Sequence, residues 1–324
     1  MTAKAGQWIT PGVPGRTRAL AVAGAVTALT VAVAGCASSG ASVNTASSTK
    51  VINAIGAENE YASVLSQIGG KYVHVSSVLD NPSTDPHTFE SSPRVASEVS
   101  AATLIVQNGV GYDSWINKIE SASPNPRRRV IVAQQVLGLP DSTPNPHLWY
   151  DPKTMPAVAK VMAADMSALQ PAHKAYFQAN LARFKTSMAP WLTAIAQFKA
   201  KYPGAPVAVT EPVSDYLLQA MGMDIRTPFS FQADIMNGVD PSPQGISGQN
   251  GLFTQHKVKV FCYNQQVVSA LTRTFQRTAG KAGVPVVAVY ETMPTPGFTY
   301  QTWMLAEVHA IEKAITGKTS TPQL

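Results

Sequence analysis

Residues 51–70 read Val51-Ile52-Asn53-Ala54-Ile55-Gly56-Ala57-Glu58-Asn59-Glu60-Tyr61-Ala62-Ser63-Val64-Leu65-Ser66-Gln67-Ile68-Gly69-Gly70, and the change of period within them decides the fold class. The apolar run 51–55 suits a buried strand. Tyr61, Val64, Leu65 and Ile68 then recur at helical spacing until Gly69-Gly70 stops the helix. The alternation continues downstream. Residues 72–79 read as a strand, Ser92-Pro93 as the N-cap and first position of a helix, 103–107 as a strand, 112–120 as a helix and 130–133 as a strand. Alternating elements predict an α/β lobe with a mainly parallel sheet.

Asp151-Pro152 is a second N-cap and first-position pair, opening a helix to about residue 169, and Pro171 starts another helical stretch reaching about 202. No strand intervenes, so 171–203 is expected to be a connecting helix, kinked or interrupted at Pro190. Beyond it the alternation resumes, with strands at 207–210, 258–263 and 286–290 and helices at 214–221, 269–282 and 298–315. The Gly-rich stretch 237–251 is the least predictable region. The expected organisation is therefore an N-terminal α/β lobe over 51–170, the connector, and a C-terminal α/β lobe over 204–324, with a site in the cleft between lobes. A length of 324 residues suits two domains.

A composition of 45% hydrophobic and 14% charged residues is that of a folded globular protein. The net charge of +6 does not point to nucleic acid: setting aside Lys4, Arg16 and Arg18 leaves 22 of the 25 basic residues against 19 acidic. The one dense basic cluster, Arg127-Arg128-Arg129, has no interleaved aromatics and reads as a solvated loop. Arg16 and Arg18 precede an uncharged apolar run over 19–34, shorter than the roughly 20 residues a membrane span needs. The run ends at Val33-Ala34-Gly35-Cys36, which resembles a bacterial lipobox. Residues 1–35 are thus expected to be a lipoprotein signal peptide, Cys36 the lipidated N-terminus and 36–50 a flexible tether. Acyl chains at about 0.8 kcal/mol per buried CH₂ would hold such a protein on the outer face of the membrane. Cys262, left without an intramolecular partner in an apolar run, reads as a small buried hydrophobe.

Ligands of open α/β sheets bind in loops at the carboxyl ends of strands. Four such loops carry a metal-competent residue: His87 in Asp85-Pro86-His87, His147 in Asn145-Pro146-His147, Glu211 in Thr210-Glu211-Pro212 and Glu291 in Tyr290-Glu291-Thr292. Two come from each lobe, and a proline before each histidine favours rigid presentation. Two imidazoles and two carboxylates could neutralise a divalent cation while supplying four or more donor atoms. Other readings stand beside this one, since a lone histidine is commonly structural and a loop carboxylate can be an N-cap. His74, His173, His256 and His309 read as structural or solvent-facing, Asp151 as an N-cap, and Glu90 as approaching a helix or supporting the site. Trp149 and Tyr290 adjoin the candidate ligands and could wall them from water.

The segments Asp85-Pro86-His87-Thr88-Phe89-Glu90 and Pro146-His147-Leu148-Trp149-Tyr150-Asp151-Pro152, with Pro241-Ser242-Pro243, resemble the zinc/manganese solute-binding proteins of bacterial ABC importers over nearly the whole chain after the tether. The resemblance implies that His87, His147, Glu211 and Glu291 are the metal ligands. It also implies a Zn²⁺ or Mn²⁺ cargo, an ABC importer permease as partner, a monomer, and no enzymatic activity. Two departures stand out: the Glu211 segment is one residue shorter than the commoner form, and no His-rich loop of the zinc-specific kind is present. Two carboxylates able to bind bidentately would suit Mn²⁺, whereas Zn²⁺ binds more tightly in an equivalent site. Both imidazoles must be neutral, so capture should weaken below about pH 6.5. The alternatives are a surface adhesin or structural lipoprotein and, with less support, a metallohydrolase; for the last there is no His-Glu-x-x-His helix or Gly-x-Ser-x-Gly elbow.

Overall fold

In the computed structural model the described residues are 51–83, 86, 89–294 and 296–324. The signal segment, Cys36 with its tether, and His87 therefore lie outside the described residues. Strand β1 (Ile52–Glu58) leads directly into α1 (Asn59–Gly69), whose Tyr61, Val64, Leu65 and Ile68 are buried as their spacing predicts. The remaining strands of this lobe are β2 (Val73–Leu79), β3 (Leu104–Gln107) and β4 (Arg129–Val132), and its helices are α2 (Pro93–Ala101), α3 (Ser114–Ala122) and the short α4 (Ala133–Val136). The sheet runs β2-β1-β3-β4 with every pair parallel. Strand β3 is buried along its whole length, as a parallel strand covered on both faces must be. Gly56 is required at the end of β1, because a Cβ there would collide with the Ala62 backbone nitrogen.

Helix α5 (Thr154–Leu169) and α6 (Lys174–Ser187) pack on α1, while α7 (Ala189–Lys201) packs against the last helix of the chain, α12 (Tyr300–Gly317). The connector is therefore not one helix. It breaks at Met188, because Pro190 in the first turn of α7 has no N–H to continue the ladder from α6. The second sheet, from β5 (Pro206–Val209), β6 (Asp224–Ile225), β7 (Val260–Asn264) and β8 (Val286–Val289), runs β6-β5-β7-β8, again parallel throughout. Helices α8 (Asp215–Ala220), α9 (Phe229–Met236), α10 (Pro243–Thr254) and α11 (Ala270–Lys281) complete it. Both sheets share one strand order, although no repeat is visible in the residues. In each, the chain crosses to opposite sides of the first strand, so the crevices face the carboxyl ends of β1/β3 and β5/β7.

The least predictable stretch, rich in Gly, contains α10, started by Ser242 accepting the Gly245 N–H with Pro243 at the first position. Two local expectations need correction. Asp151 is not the cap of α5: Lys153 occupies that position, and Asp151 accepts the Lys153 N–H from a turn outside the helix. Arg128 is not simply solvated; it donates to the carbonyls of Val99, Ser100 and Ala102, the open end of α2. Cys262 is buried as expected, and burial pushes its thiol far above its usual value.

The lobes meet through an apolar core that is continuous from α1 and α5 to β7 and α12. The Tyr300 hydroxyl donates to the Trp149 carbonyl at 2.6 Å across that junction. Asn59, the first residue of α1, closes two hydrogen bonds on one residue of the other lobe. Its Nδ2 donates to the Met293 carbonyl and its Oδ1 accepts the Met293 N–H, both at 2.9 Å and both buried. Asn59→Ala strands both backbone groups. At about 1–3 kcal/mol per buried unpaired group, it is expected to lower unfolding stability by roughly 2–4 kcal/mol, read from the urea midpoint of the part beginning after Cys36.

Candidate metal centre

His147 sits at the end of the loop that leaves α4, the short helix after β4, just before a single 3₁₀ turn, Leu148–Tyr150. Glu211 follows β5 by two residues and Glu291 follows β8 by two residues. Their relative exposures are 0, 2 and 0%, which makes this a site that solvent does not reach in the described state. The structure sets His147 of one lobe against Glu291 of the other and joins Glu211 to Glu291 through Asn264, while His87 is outside the described residues. Among the described residues no group of three or more His, Cys, Asp or Glu side chains is close enough to hold a metal ion by itself.

The protonation of His147 follows from its neighbours. Asn145 Nδ2 donates to the Pro212 carbonyl at 2.8 Å, a partner that can only accept, so Asn145 Oδ1 is turned toward His147. That oxygen accepts the His147 backbone N–H at 3.0 Å and lies 2.8 Å from Nδ1, which places the ring proton on Nδ1. Nε2 then presents its lone pair to Glu291 Oε2 at 3.4 Å, with both side chains fully buried. A metal ion or a proton between these two atoms would satisfy both acceptors.

Asn264, the last residue of β7, was not anticipated from sequence. Its Nδ2 donates to Glu291 Oε1 at 2.6 Å and to Glu211 Oε2 at 3.3 Å. Gln266 Oε1 accepts the backbone N–H groups of Glu291 and Thr292 at 2.7 and 2.8 Å, which fixes the Glu291 loop. Tyr112 reaches from the first lobe to donate its hydroxyl to Glu291 Oε2 at 2.8 Å. Nothing in the spacing of Asn145, Asn264, Gln266 or Tyr112 marked them. The only cue was position, since Asn264 ends a strand and Asn145 lies two residues before His147.

Trp149 does wall the site, its ring edge-on to His147 at 5.4 Å between centroids and to Tyr112 at 5.1 Å. Tyr290 does not, for its hydroxyl accepts the Leu324 N–H on the far side. Glu90 is exposed and does not support the site. His173 stacks on Tyr72 at 3.6 Å, while His74, His256 and His309 are exposed. A cleft of about 380 Å³ lies outside the candidate ligands, with Phe89, Tyr112, Trp115 and Pro146 on one side and Met236 and Asn237 on the other.

The surroundings carry an excess of buried acid. Glu58 and Glu60 flank the start of α1 at 1 and 0% exposure, and among the described residues no other residue hydrogen-bonds their side-chain oxygens. Burial raises both well above the usual carboxylate range. Asp113 and Glu60 add to the effect on Glu58, and Glu291 and Asp113 add to that on Glu60. Asp113 is raised to about 6 by burial, against backbone N–H bonds from Gly109 and Asn108. Such a region attracts a cation and retains protons without one.

A family model described as ZnuA, zinc-uptake complex component A, periplasmic, matches residues 57–314. A putative metal-binding protein of Thermotoga maritima is 25% identical over 174 residues, 52% of this chain and 61% of the relative. The manganese ABC transporter substrate-binding lipoprotein PsaA of Streptococcus pneumoniae is 23% identical over 221 residues, 63% of this chain and 68% of the relative. The chain therefore spans about three fifths to two thirds of the length of these curated relatives. The solved structure of the periplasmic zinc-binding protein TroA from Treponema pallidum superposes with a TM-score of 0.68 at 15% identity, over 83% of this chain and 99% of that one. At that identity the likeness speaks for the fold.

Proposed function

Because the chain belongs to the family of periplasmic zinc-uptake complex component A proteins, we propose that it captures a divalent transition-metal ion, Zn²⁺ or Mn²⁺, through His87, His147, Glu211 and Glu291 and delivers it to an ABC importer permease. The observation that carries this reading is the buried pair of His147 Nε2 and Glu291 Oε2, 3.4 Å apart. Two ligands at the 2.0–2.1 Å typical of Zn²⁺, separated by a tetrahedral angle, stand about 3.3 Å apart. A divalent ion also relieves the acidity contributed by Glu58 and Glu60.

The relatives' names support the rest of the proposal: one family is described by zinc uptake, and one lipoprotein by manganese transport. The protein is read as exported, held by lipid on Cys36 at the outer face of the cytoplasmic membrane, and monomeric. No helix among the described residues is long and apolar enough to cross a membrane. It is read as a binding protein and not a hydrolase, because the two described carboxylates are both tied to Asn264 and a hydrolytic site needs a base poised over an open water position. Release would require the permease to part the lobes, separating Glu211 and Glu291 from the histidines.

Elemental analysis of the soluble part beginning after Cys36, paired with Zn²⁺ and Mn²⁺ titrations, is expected to give one equivalent of metal. That equivalent should disappear in the His87→Ala, His147→Ala double variant. Absence of any bound or titratable metal in the unaltered protein would sink the proposal and return the structural-lipoprotein reading.

A further inference from the structure

The cleft of about 380 Å³ outside the candidate centre is bordered by Tyr112 but by none of His147, Glu211 and Glu291. On its other side the same residue touches two of those ligands. The Tyr112 hydroxyl donates to Glu291 Oε2 at 2.8 Å, and its ring lies edge-on to His147 at 5.9 Å and to Trp149 at 5.1 Å between centroids. Tyr112 belongs to the first lobe and Glu291 to the second, so this hydrogen bond also spans the junction of the lobes. A metal ion entering from the cleft meets the Tyr112 ring before it meets His147 or Glu291.

The backbone that carries this ring is unusual. Gly109, Val110 and Gly111 have φ of 84, 55 and 76°, three successive residues in the left-handed region. A β-branched residue is seldom found there, and such a conformation persists only where its surroundings hold it. Gln134 Oε1 accepts the Val110 N–H at 2.7 Å, the Asp113 carboxylate accepts the Asn108 and Gly109 N–H groups, and the Gly109 carbonyl accepts the Tyr112 N–H at 3.1 Å. The outer side is open. Gly111 is exposed, with nothing within 4 Å of where a Cβ would lie. A glycine on each side of Val110 lets the backbone change its dihedral angles at little steric cost, which is what a hinge of a few residues requires.

We infer that Tyr112 is the gate of the metal centre: its ring closes the centre against the cleft, its hydroxyl latches on Glu291, and the Gly109-Val110-Gly111 turn is the hinge on which it swings. The inference rests on the proposed metal site and adds the step that sets how fast an ion enters or leaves when no permease acts on the protein. The latch does not compete with the metal, since a carboxylate that ligates an ion accepts hydrogen bonds at the same time. It holds the gate in the empty and the loaded protein alike, so its loss speeds traffic in both directions. A residue that only oriented Glu291 would behave differently: losing it would hasten release and leave uptake unchanged.

The test uses the soluble part beginning after Cys36, with Zn²⁺ as the probe in stopped-flow mixing. Uptake is followed by tryptophan fluorescence and release by transfer of Zn²⁺ to an excess of a chromophoric chelator. In Tyr112→Phe, which keeps the ring and loses the latch, both rates are expected to rise about 10–100-fold, the weight of one hydrogen bond to a charged group. Faster release with unchanged uptake overturns the inference. Hydrogen exchange of the unaltered, metal-free protein gives a reading even if the variant does not fold. After correction for intrinsic rates, the Tyr112 amide should exchange about tenfold or more faster than the Met293 amide, which Asn59 Oδ1 holds across the lobes at 2.9 Å. Equal rates would mean that Tyr112 is freed only when the lobes part, and the gate falls. If the unaltered protein takes up neither Zn²⁺ nor Mn²⁺, the metal site itself is overturned and the gate with it; normal uptake, with Y112F matching the wild type in both rates, overturns the gate alone.

Discussion

His147→Ala is expected to lower the affinity for Zn²⁺ by about a hundred- to a thousandfold. Binding free energies of about 10–16 kcal/mol for four-ligand structural zinc sites leave roughly 2.5–4 kcal/mol per ligand, and each 1.4 kcal/mol is a factor of ten. His147 is the appropriate test because its tautomer follows from contacts that do not depend on a metal, through Asn145 and the Pro212 carbonyl. The variant also faces Glu291 Oε2 with nothing in place of the imidazole, so compensation by a neighbour is not available from His147's own loop. Thermal unfolding gives a second reading. A ligand at one hundred times its dissociation constant stabilises the folded state by about 2.7 kcal/mol, so the wild type should melt higher with Zn²⁺ while H147A should not. A variant that keeps its affinity within about threefold would remove His147 from the ligand set.

The large elements of the fold were legible because their periods differ. Val51 to Ile68 switches from a strand to a helix within a few residues, and the structure places β1 and α1 there. What was not legible has identifiable causes. In α10 the cap Ser242-Pro243 is the same signal as Ser92-Pro93, but Gly245, Gly248 and Gly251 outweighed it, as three residues of low helix propensity would. At Gly245 the lack of a side chain is a packing matter, since a Cβ would lie 3.0 Å from the Phe231 ring. The two-residue strand β6 is too short for any period to register.

The site divides along the same line. His147, Glu211 and Glu291 were found by asking which residues follow strand ends, a question with a topological answer. The amides that orient them were not. Asn264 ends, and Gln266 follows, the strand between those that precede Glu211 and Glu291, and only the order β5-β7-β8 reveals that one side chain touches both carboxylates. Sequence separation hides this: the contacts of Asn264 span 53 residues in one direction and 27 in the other.

Glu307 carries the second large expected effect, on stability rather than binding. It lies on α12 at 0% exposure, and burial raises its carboxyl to about 8 from an ordinary 4.5, against hydrogen bonds from Trp303 and Tyr150 that pull it down. The Tyr150 hydroxyl accepts the Tyr290 N–H at 3.2 Å, and its one proton is shared between the Tyr290 carbonyl at 2.8 Å and Glu307 Oε1 at 3.2 Å, so Glu307 receives only a weak hydrogen bond from it. A carboxyl whose value rises on folding contributes full stability below pH 4.5, where both states are protonated. That contribution is lost as pH climbs through about 8. The difference amounts to roughly 5 kcal/mol at about 1.4 kcal/mol per unit. Glu307→Gln supplies the same donor without the ionisation, so it should match the wild type at pH 5 and exceed it by several kcal/mol at pH 9 in urea unfolding of the metal-free protein. Glu58 and Glu60 tilt both proteins alike, which is why the difference between the two curves, and not the slope of either, isolates Glu307. Parallel curves across that range would mean that Glu307 is ionised in the fold. Tyr150 and Tyr290 stand one turn and one residue from His147 and Glu291, so the hydrogen bonds between them join the loops of the two lobes behind the candidate metal centre.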